Sequence, residues 1–313
     1  MELRVLFLGT GARAPTPERL VASTMLIRGA EHILVDCGEG TVRRMLTSIA
    51  GLGQLSTILL SHTHADHVLG LPGLLATLSE QRRAPLVVAG PAGIRELIEG
   101  FRPHFGTLRF PMQMVELGAG EAIDRDGYRL ETLQARHRGE AHAWMLSEPT
   151  RRGRLDVERA MAGGVAGEGL GRLAAGEDVG GVRAREVVGP PRPGRRVIIS
   201  GDTAPAPAVE EAARGADLLV HEATFLESDR ALARQTGHST AADAAALAAR
   251  ADVGMLALTH RSSRYRDEDV AAEAASQFPR SVVPRDLDLI EIPFSDHGPP
   301  RLLRGGGRAI ERS

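Results

Sequence analysis

Along the first half of the chain, apolar residues gather in short runs that end at glycine turns, the pattern of strands in a layered fold. Leu3-Arg4-Val5-Leu6-Phe7-Leu8 predicts a strand closed by Gly9-Thr10-Gly11, and Ser23–Arg28 and His32–Asp36 predict two more. The third strand runs into CGEGT, where Gly38 and Gly40 predict a tight turn into a helix over 42–49. A strand at 57–60 precedes a helix beginning near Gly70-Leu71-Pro72-Gly73, and LVVAG precedes the helical PAGIRELIEGF. Strands in pairs and triplets between helices predict sheets packed on each other through one face and on helices through the other. Strands at 130–135, 197–200, 217–220 and 255–259 and an Ala-rich helix over 241–250 extend the pattern.

Between Arg151 and Arg196 the texture changes to glycine and arginine with few large apolar residues, which predicts an extended insertion rather than core. The tail from about residue 295 to 313 is rich in Gly, Pro and Arg and predicts disorder.

Composition narrows the function. With 42% hydrophobic and 25% charged residues the chain can bury a large core, and no apolar run reaches the length of a membrane span. The N-terminus meets glycine too early for a signal peptide, and the single Cys37 excludes an internal disulfide, so a reducing cytoplasm is expected. A net charge of −2 argues against a broadly basic nucleic-acid binder. The insertion is different: residues 151–196 carry ten arginines against six acids, +4, which leaves −6 elsewhere.

Ser61-His62-Thr63-His64-Ala65-Asp66-His67 follows the strand at 57–60 and holds three of the 11 histidines. A strand end followed by a short loop points side chains into one crevice, and zinc accepts His nitrogen and carboxylate oxygen there. His62 and His64 can share one ion, while Asp66 and His67 can hold a second. His137, Asp202 and His260 each follow a predicted strand and are candidates to complete the set. The bland alternatives are a closed zinc site or a chance cluster.

FLGTGA, DCGEGT, SHTHADH followed by GLPGLL, HRGEAHAW, the insertion, SGDT, HEATF, GHST and LTHRSSRY stand in the order found in one family. Over about residues 1–294 the chain resembles the metallo-β-lactamase superfamily and, within it, the tRNA 3′-processing endoribonuclease RNase Z in its bacterial short form. H-x-H-x-D-H marks the superfamily, and HEATF with GHST and the long insertion marks the RNase Z branch.

The resemblance implies an α/β fold, a four-layer αββα sandwich built from 1–149 and 197–294, with 150–196 as a protruding Gly/Arg-rich arm. It implies two Zn2+ per subunit, Mn2+ being the alternative: one ion on His62, His64 and His137, the other on Asp66, His67 and His260, with Asp202 bridging. It also implies a hydroxide nucleophile oriented by Asp66, and His238, held by Glu222, as the acid for the leaving ribose oxygen. Thr240 and Asp243 have the spacing of a capping box, so His238 would stand near a helix N-terminus that disfavours imidazolium unless Glu222 outweighs it.

Precursor tRNA is the implied partner and a homodimer the implied assembly, with no membrane. Arg19 and the arm residues Arg151, Arg152, Arg154 and Arg172 are the implied substrate contacts. Pro15-Thr16-Pro17-Glu18-Arg19-Leu20 keeps the arginine of the family pattern P-x-K-x-R-N but replaces its Lys and Asn, which puts recognition of the tRNA 3′ end in question. A dinuclear zinc phosphodiesterase or sulfatase of a small substrate is the alternative enzyme. A non-catalytic RNA-binding member is the alternative class, disfavoured because all seven ligands are present. A lactamase is disfavoured because the bridging position is Asp202 rather than a thiolate. His32, His104, His142, His221 and His297 carry no assigned chemistry, Asp36 and Glu39 are expected to hold loops, and Cys37 and Trp144 to lie in or at the core.

Overall fold

A computed structural model describes residues 1–308. The chain divides into two compact units, one formed by Met1–Leu146 with the chain from Arg196 onward, the other by Ser147–Arg195.

The first unit is built on two sheets. The strands in chain order are β1 (Leu3–Gly9), β2 (Ser23–Arg28), β3 (Glu31–Val35), β4 (Leu55–Leu59), β5 (Leu86–Gly90), β6 (Met112–Glu116), β7 (Ala122–Arg125) and β8 (Tyr128–Gln134). They continue with β9 (His142–Ser147), β10 (Arg196–Ile199), β11 (Leu218–Glu222), β12 (Met255–Thr259), β13 (Ser281–Val282), β14 (Leu289–Glu291) and β15 (Arg301–Leu303). One sheet has the order β15-β14-β1-β2-β3-β4-β5-β6, the other β13-β12-β11-β10-β9-β8-β7. Strands β3 to β6 run parallel, as do β10 to β13, so the C-terminal ends of each group line one edge of its sheet.

Alternation along the strands explains the layering. In β1, Leu3, Val5 and Phe7 enter a core shared with Val197, Ile199, Leu218 and Val220 of the second sheet, while Leu6 and Leu8 turn to the other face. That outer face packs against the helix Leu71–Gln81, whose Leu71, Leu74, Leu75 and Leu78 recur at helical spacing. The second sheet's outer face packs on the helix Ala241–Ala251 through Ala241, Ala244, Ala245, Leu247 and Ala248. Helix, sheet, sheet and helix make the four layers. Trp144 lies fully inside the inter-sheet core, its indole N–H donating to Leu60 O at 3.1 Å.

Two expectations are corrected. The tail expected to be disordered from 295 carries β15, which pairs antiparallel with β14. The Arg304 guanidinium reaches Asp288 Oδ2 at 2.7 Å, and Gly307 N donates to Leu287 O at 2.9 Å. A Cβ at Gly307 would meet Leu6 Cδ1 at 2.0 Å, so glycine there permits docking rather than disorder. Residues 309–313 of that expectation lie outside the described residues. The Arg/Gly-rich insertion likewise has a core of its own. Its helices Val157–Ala162, Glu168–Ala174 and Ala184–Val187 gather Ala160, Val165, Leu173, Ala184 and Val187 in one buried cluster. Small apolar residues spaced among glycines carry too little hydrophobicity to announce such a core locally.

Candidate metal centre

Strand ends deliver the candidate ligands. His62, His64, Asp66 and His67 follow β4, His137 follows β8, Asp202 follows β10 and His260 follows β12. The structure brings all seven together in two groups that share one neighbourhood: His62, His64, His137 and Asp202 in one, Asp66, His67 and His260 in the other, each within 4.8 Å. In the first, His62 Nε2 stands 3.0 Å from His64 Nδ1, which is 3.2 Å from His137 Nε2. Asp202 Oδ2 lies 3.7 Å from His62 Nε2 and 3.9 Å from His137 Nε2. In the second, His260 Nε2 is 3.3 Å from both His67 Nε2 and Asp66 Oδ2. Asp202 Oδ1 lies 3.3 Å from His67 Nε2 and 3.3 Å from His260 Nδ1, so its two oxygens face the two groups.

The surroundings aim these atoms. His137 Nδ1 meets Gly237 O at 2.8 Å, and His67 Nδ1 meets Asp36 Oδ2 at 2.8 Å. Each acceptor fixes a proton on Nδ1, so that in the neutral imidazole the Nε2 lone pair is turned inward. Asp36 also accepts from Ser61 N at 2.7 Å and Ser61 Oγ at 2.8 Å. It therefore holds a loop, as expected, and orients a candidate ligand as well. Asp36 (φ 59°) and His260 (φ 50°) both adopt the left-handed backbone that costs non-glycine residues, a strain found where a side chain must be aimed. Gly38 is required where the turn passes under the loop, because a Cβ there would lie 2.4 Å from Asp66 O.

The electrostatics suit a site that holds positive charge. Burial opposes ionisation of Asp202, yet the imidazoles of His260 and His67 hold its carboxyl well below the usual range. Asp66 behaves alike: burial opposes ionisation, but the His260 hydrogen bond and the His67 charge outweigh it. Burial and the neighbouring His67 keep His62 neutral at any ordinary pH. Asp202 Oδ1 is buried and, among the described residues, in hydrogen-bond geometry with no group. Facing imidazole nitrogens at 3.0–3.3 Å around such a carboxylate cannot all be satisfied by protons, and divalent cations satisfy them. The donor set fits.

Beside the cluster, His238 Nδ1 is 2.8 Å from Glu222 Oε1, and the His238 and His137 ring centres are 4.8 Å apart. Glu222 is buried and also accepts from Thr203 N at 2.7 Å and Thr224 Oγ1 at 2.6 Å. The capping box of Thr240 and Asp243 is formed at the start of Ala241–Ala251, which places His238 just before a helix N-terminus. Burial depresses His238, but Glu222 more than compensates and raises it to about 9. Cations bound next to it pull the other way. Thr224 was missed by sequence reasoning: its Oγ1 meets His260 Nδ1 at 2.9 Å and so links Glu222 to a ligand. Its place in HEATF was the available signal.

The substrate candidates are less convergent. Arg19 is partly buried, its guanidinium 3.4 Å from Asp267. Arg151, Arg152, Arg154 and Arg172 belong to the Ser147–Arg195 unit, where Arg152 and Arg154 are exposed and Arg172 pairs with Glu177 at 2.8 Å. His142 and His221 are both buried, and His221 Nδ1 is bound to Glu222 O.

A family model described as a beta-lactamase superfamily domain matches residues 31–261. Among curated relatives, a ribonuclease Z of Methanosarcina acetivorans is 42% identical, covering 93% of this chain and 99% of its own length. A ribonuclease Z of Bradyrhizobium diazoefficiens is 39% identical, covering 91% and 98%. Among solved structures, the short form of human tRNase Z superposes with a TM-score of 0.68 at 25% identity, covering 93% of this chain and 99% of that one. With its candidate ligand groups on the strand ends of a four-layer sandwich and these relatives along nearly its whole length, the chain belongs to the ribonuclease Z family of the beta-lactamase superfamily.

Proposed function

We propose that the chain is an endoribonuclease that hydrolyses one phosphodiester of precursor tRNA, releasing the 3′ trailer and leaving a 3′-hydroxyl. The observation that carries this reading is the convergence of seven His and Asp ligands in two groups about Asp202, beside a His238–Glu222 pair, in a chain 42% identical to a ribonuclease Z. His62, His64 and His137 would hold one cation, Asp66, His67 and His260 the other, and Asp202 both. Zinc is the proposed metal, with manganese the chemical alternative for the same donors. Bound there, the pair supplies an activated water at neutral pH and positive charge for the phosphodiester.

The chain's own groups handle the protons. Asp66, at the edge of the second group, accepts the proton shed by the attacking water. His238, on the side of Glu222, gives a proton to the ribose 3′-oxygen as the P–O bond breaks. Glu222 keeps that imidazole protonated and oriented. The Ser147–Arg195 unit carries nine arginines against seven acids, a net +2 that suits sequence-independent grip on the tRNA body, and we assign it that role. We further propose a homodimer working in the cytoplasm. Among the described residues no helix is long and apolar enough to cross a membrane.

The test is cleavage of trailer-bearing precursor tRNA with product mapping, run beside a small chromogenic phosphodiester. Cutting at the 3′ end of the acceptor stem supports the reading. Turnover of the small diester with intact precursor would instead favour the small-substrate hydrolase.

A further inference from the structure

A carboxylate almost out of contact with water must be matched by donors, and Asp286 has four. Thr10 N and Thr10 Oγ1 donate to its Oδ1 at 3.0 and 2.9 Å, while Leu20 N and the Arg44 guanidinium donate to its Oδ2 at 2.8 and 3.1 Å. Thr10 and Leu20 are the two ends of the loop between β1 and β2, so one side chain pins both. Gly11 N donating to Leu20 O at 2.8 Å closes the same stem. The loop is braced on its other side by Arg261, which follows the ligand His260. Arg261 N donates to Thr10 O at 3.0 Å and Ala12 N to Arg261 O at 3.1 Å. What the pinned loop presents is the Arg13 amide. Arg13 has left-handed backbone (φ 61°), and its N–H donates to Asp66 Oδ2 at 2.7 Å. That same oxygen faces His260 Nε2.

We propose that Asp286 is a positioning residue for the hydrolysis. By clamping Thr10 to Leu20 it holds the Arg13 amide against Asp66 and so fixes the direction in which that carboxylate faces the second ligand group. The proposal rests on Asp66 being the proton acceptor. Asp286 touches neither a ligand nor the reacting atoms; it acts through a loop on the far side of the sequence, 276 positions from Thr10. The left-handed turn at Arg13 is not a shape the chain keeps unaided, which is why both ends need holding.

Asp286→Asn keeps the size but turns an amide N–H toward one pair of donors, so only one end of the loop stays held. Two readouts are taken. In chelator-treated protein, amide exchange over residues 10–20 should accelerate in the variant while exchange in the strands stays unchanged. In zinc-loaded protein, single-turnover cleavage of precursor tRNA should fall about 10- to 100-fold, with zinc content unchanged and KM within a fewfold. Should Asp286→Asn not fold, Thr10→Val removes one of the donors to Asp286, together with a long contact from Arg261 at 3.4 Å, and should give the same pattern at smaller amplitude. Exchange that does not change, or exchange that accelerates while the cleavage rate holds, overturns the proposal. A wild-type protein that leaves precursor tRNA intact contradicts the role of Asp66, and the exchange result then still decides whether Asp286 clamps the loop.

Discussion

The Ser147–Arg195 unit and the two-sheet body are held together on different scales. The body places Leu, Val, Ile, Phe and Trp side chains from both sheets in one continuous inter-sheet layer and adds a helix-covered layer on each outer face. The small unit has Ala160, Val165, Leu173, Ala184 and Val187, two of them alanines, together with a buried, bidentate Glu148–Arg195 pair at 2.7 and 2.8 Å. A core of that size rarely supplies more than about 3–5 kcal/mol. The difference separates two tasks. On the proposed function, the candidate ligands, which must be held to fractions of an ångström, stand on strand ends of the large core, and the contacts proposed for phosphates, which tolerate looseness, on the small one.

Asp66→Ala should break that separation most visibly if it is wrong. Turnover of precursor tRNA should fall at least about 10³-fold while RNA affinity, read by filter binding, stays within a fewfold. A matching loss of affinity would place RNA binding in the body instead. His238→Ala comes next and sharpens the account of the leaving group. Cleavage of precursor tRNA should drop about 10²- to 10³-fold, whereas a nitrophenyl diester, whose leaving group needs no proton, should lose little. Equal losses on both would make His238 a structural residue. Replacing 147–195 by a short Gly-Ser linker should raise KM for precursor tRNA by at least about tenfold and flatten its salt dependence, leaving the small diester untouched. Unchanged precursor cleavage would remove the unit from substrate binding. A last prediction, on stability rather than activity, concerns Cys37, fully buried, whose thiol burial pushes up to about 12. Its alkylation at pH 8 should be on the order of a hundredfold slower in the folded protein than in urea, and rapid native labelling would show the body opening locally.

Much of the body was legible because its signals are local. Ile58–Leu60 and Met255–Leu258 are continuous apolar runs, and the candidate ligands of the 62–67 loop and His260 stand just past them, so the pattern and the motif point to the same edge. The capping box at Thr240 was legible for the same reason. What escaped was set by distant partners. The short β13, β14 and β15 take their order from pairing at the sheet rims rather than from periodicity. Arg301-Leu302-Leu303 becomes a strand because β14 offers an edge, and Gly307 after it fits because Leu6 leaves no room there for a Cβ. The core of the small unit is spread over residues 160–187 among glycines and arginines that mask it. Asp36 was read as a loop-holding residue, yet nothing near it in sequence foretells His67; only the fold brings the two within 2.8 Å.

Anomalous diffraction at the zinc edge, on crystals of protein purified without chelator, tests the central claim most directly. The account predicts two peaks per chain, one among His62, His64 and His137, the other among Asp66, His67 and His260, with Asp202 touching both. A single peak, or peaks away from these residues in fully zinc-loaded crystals, would contradict it.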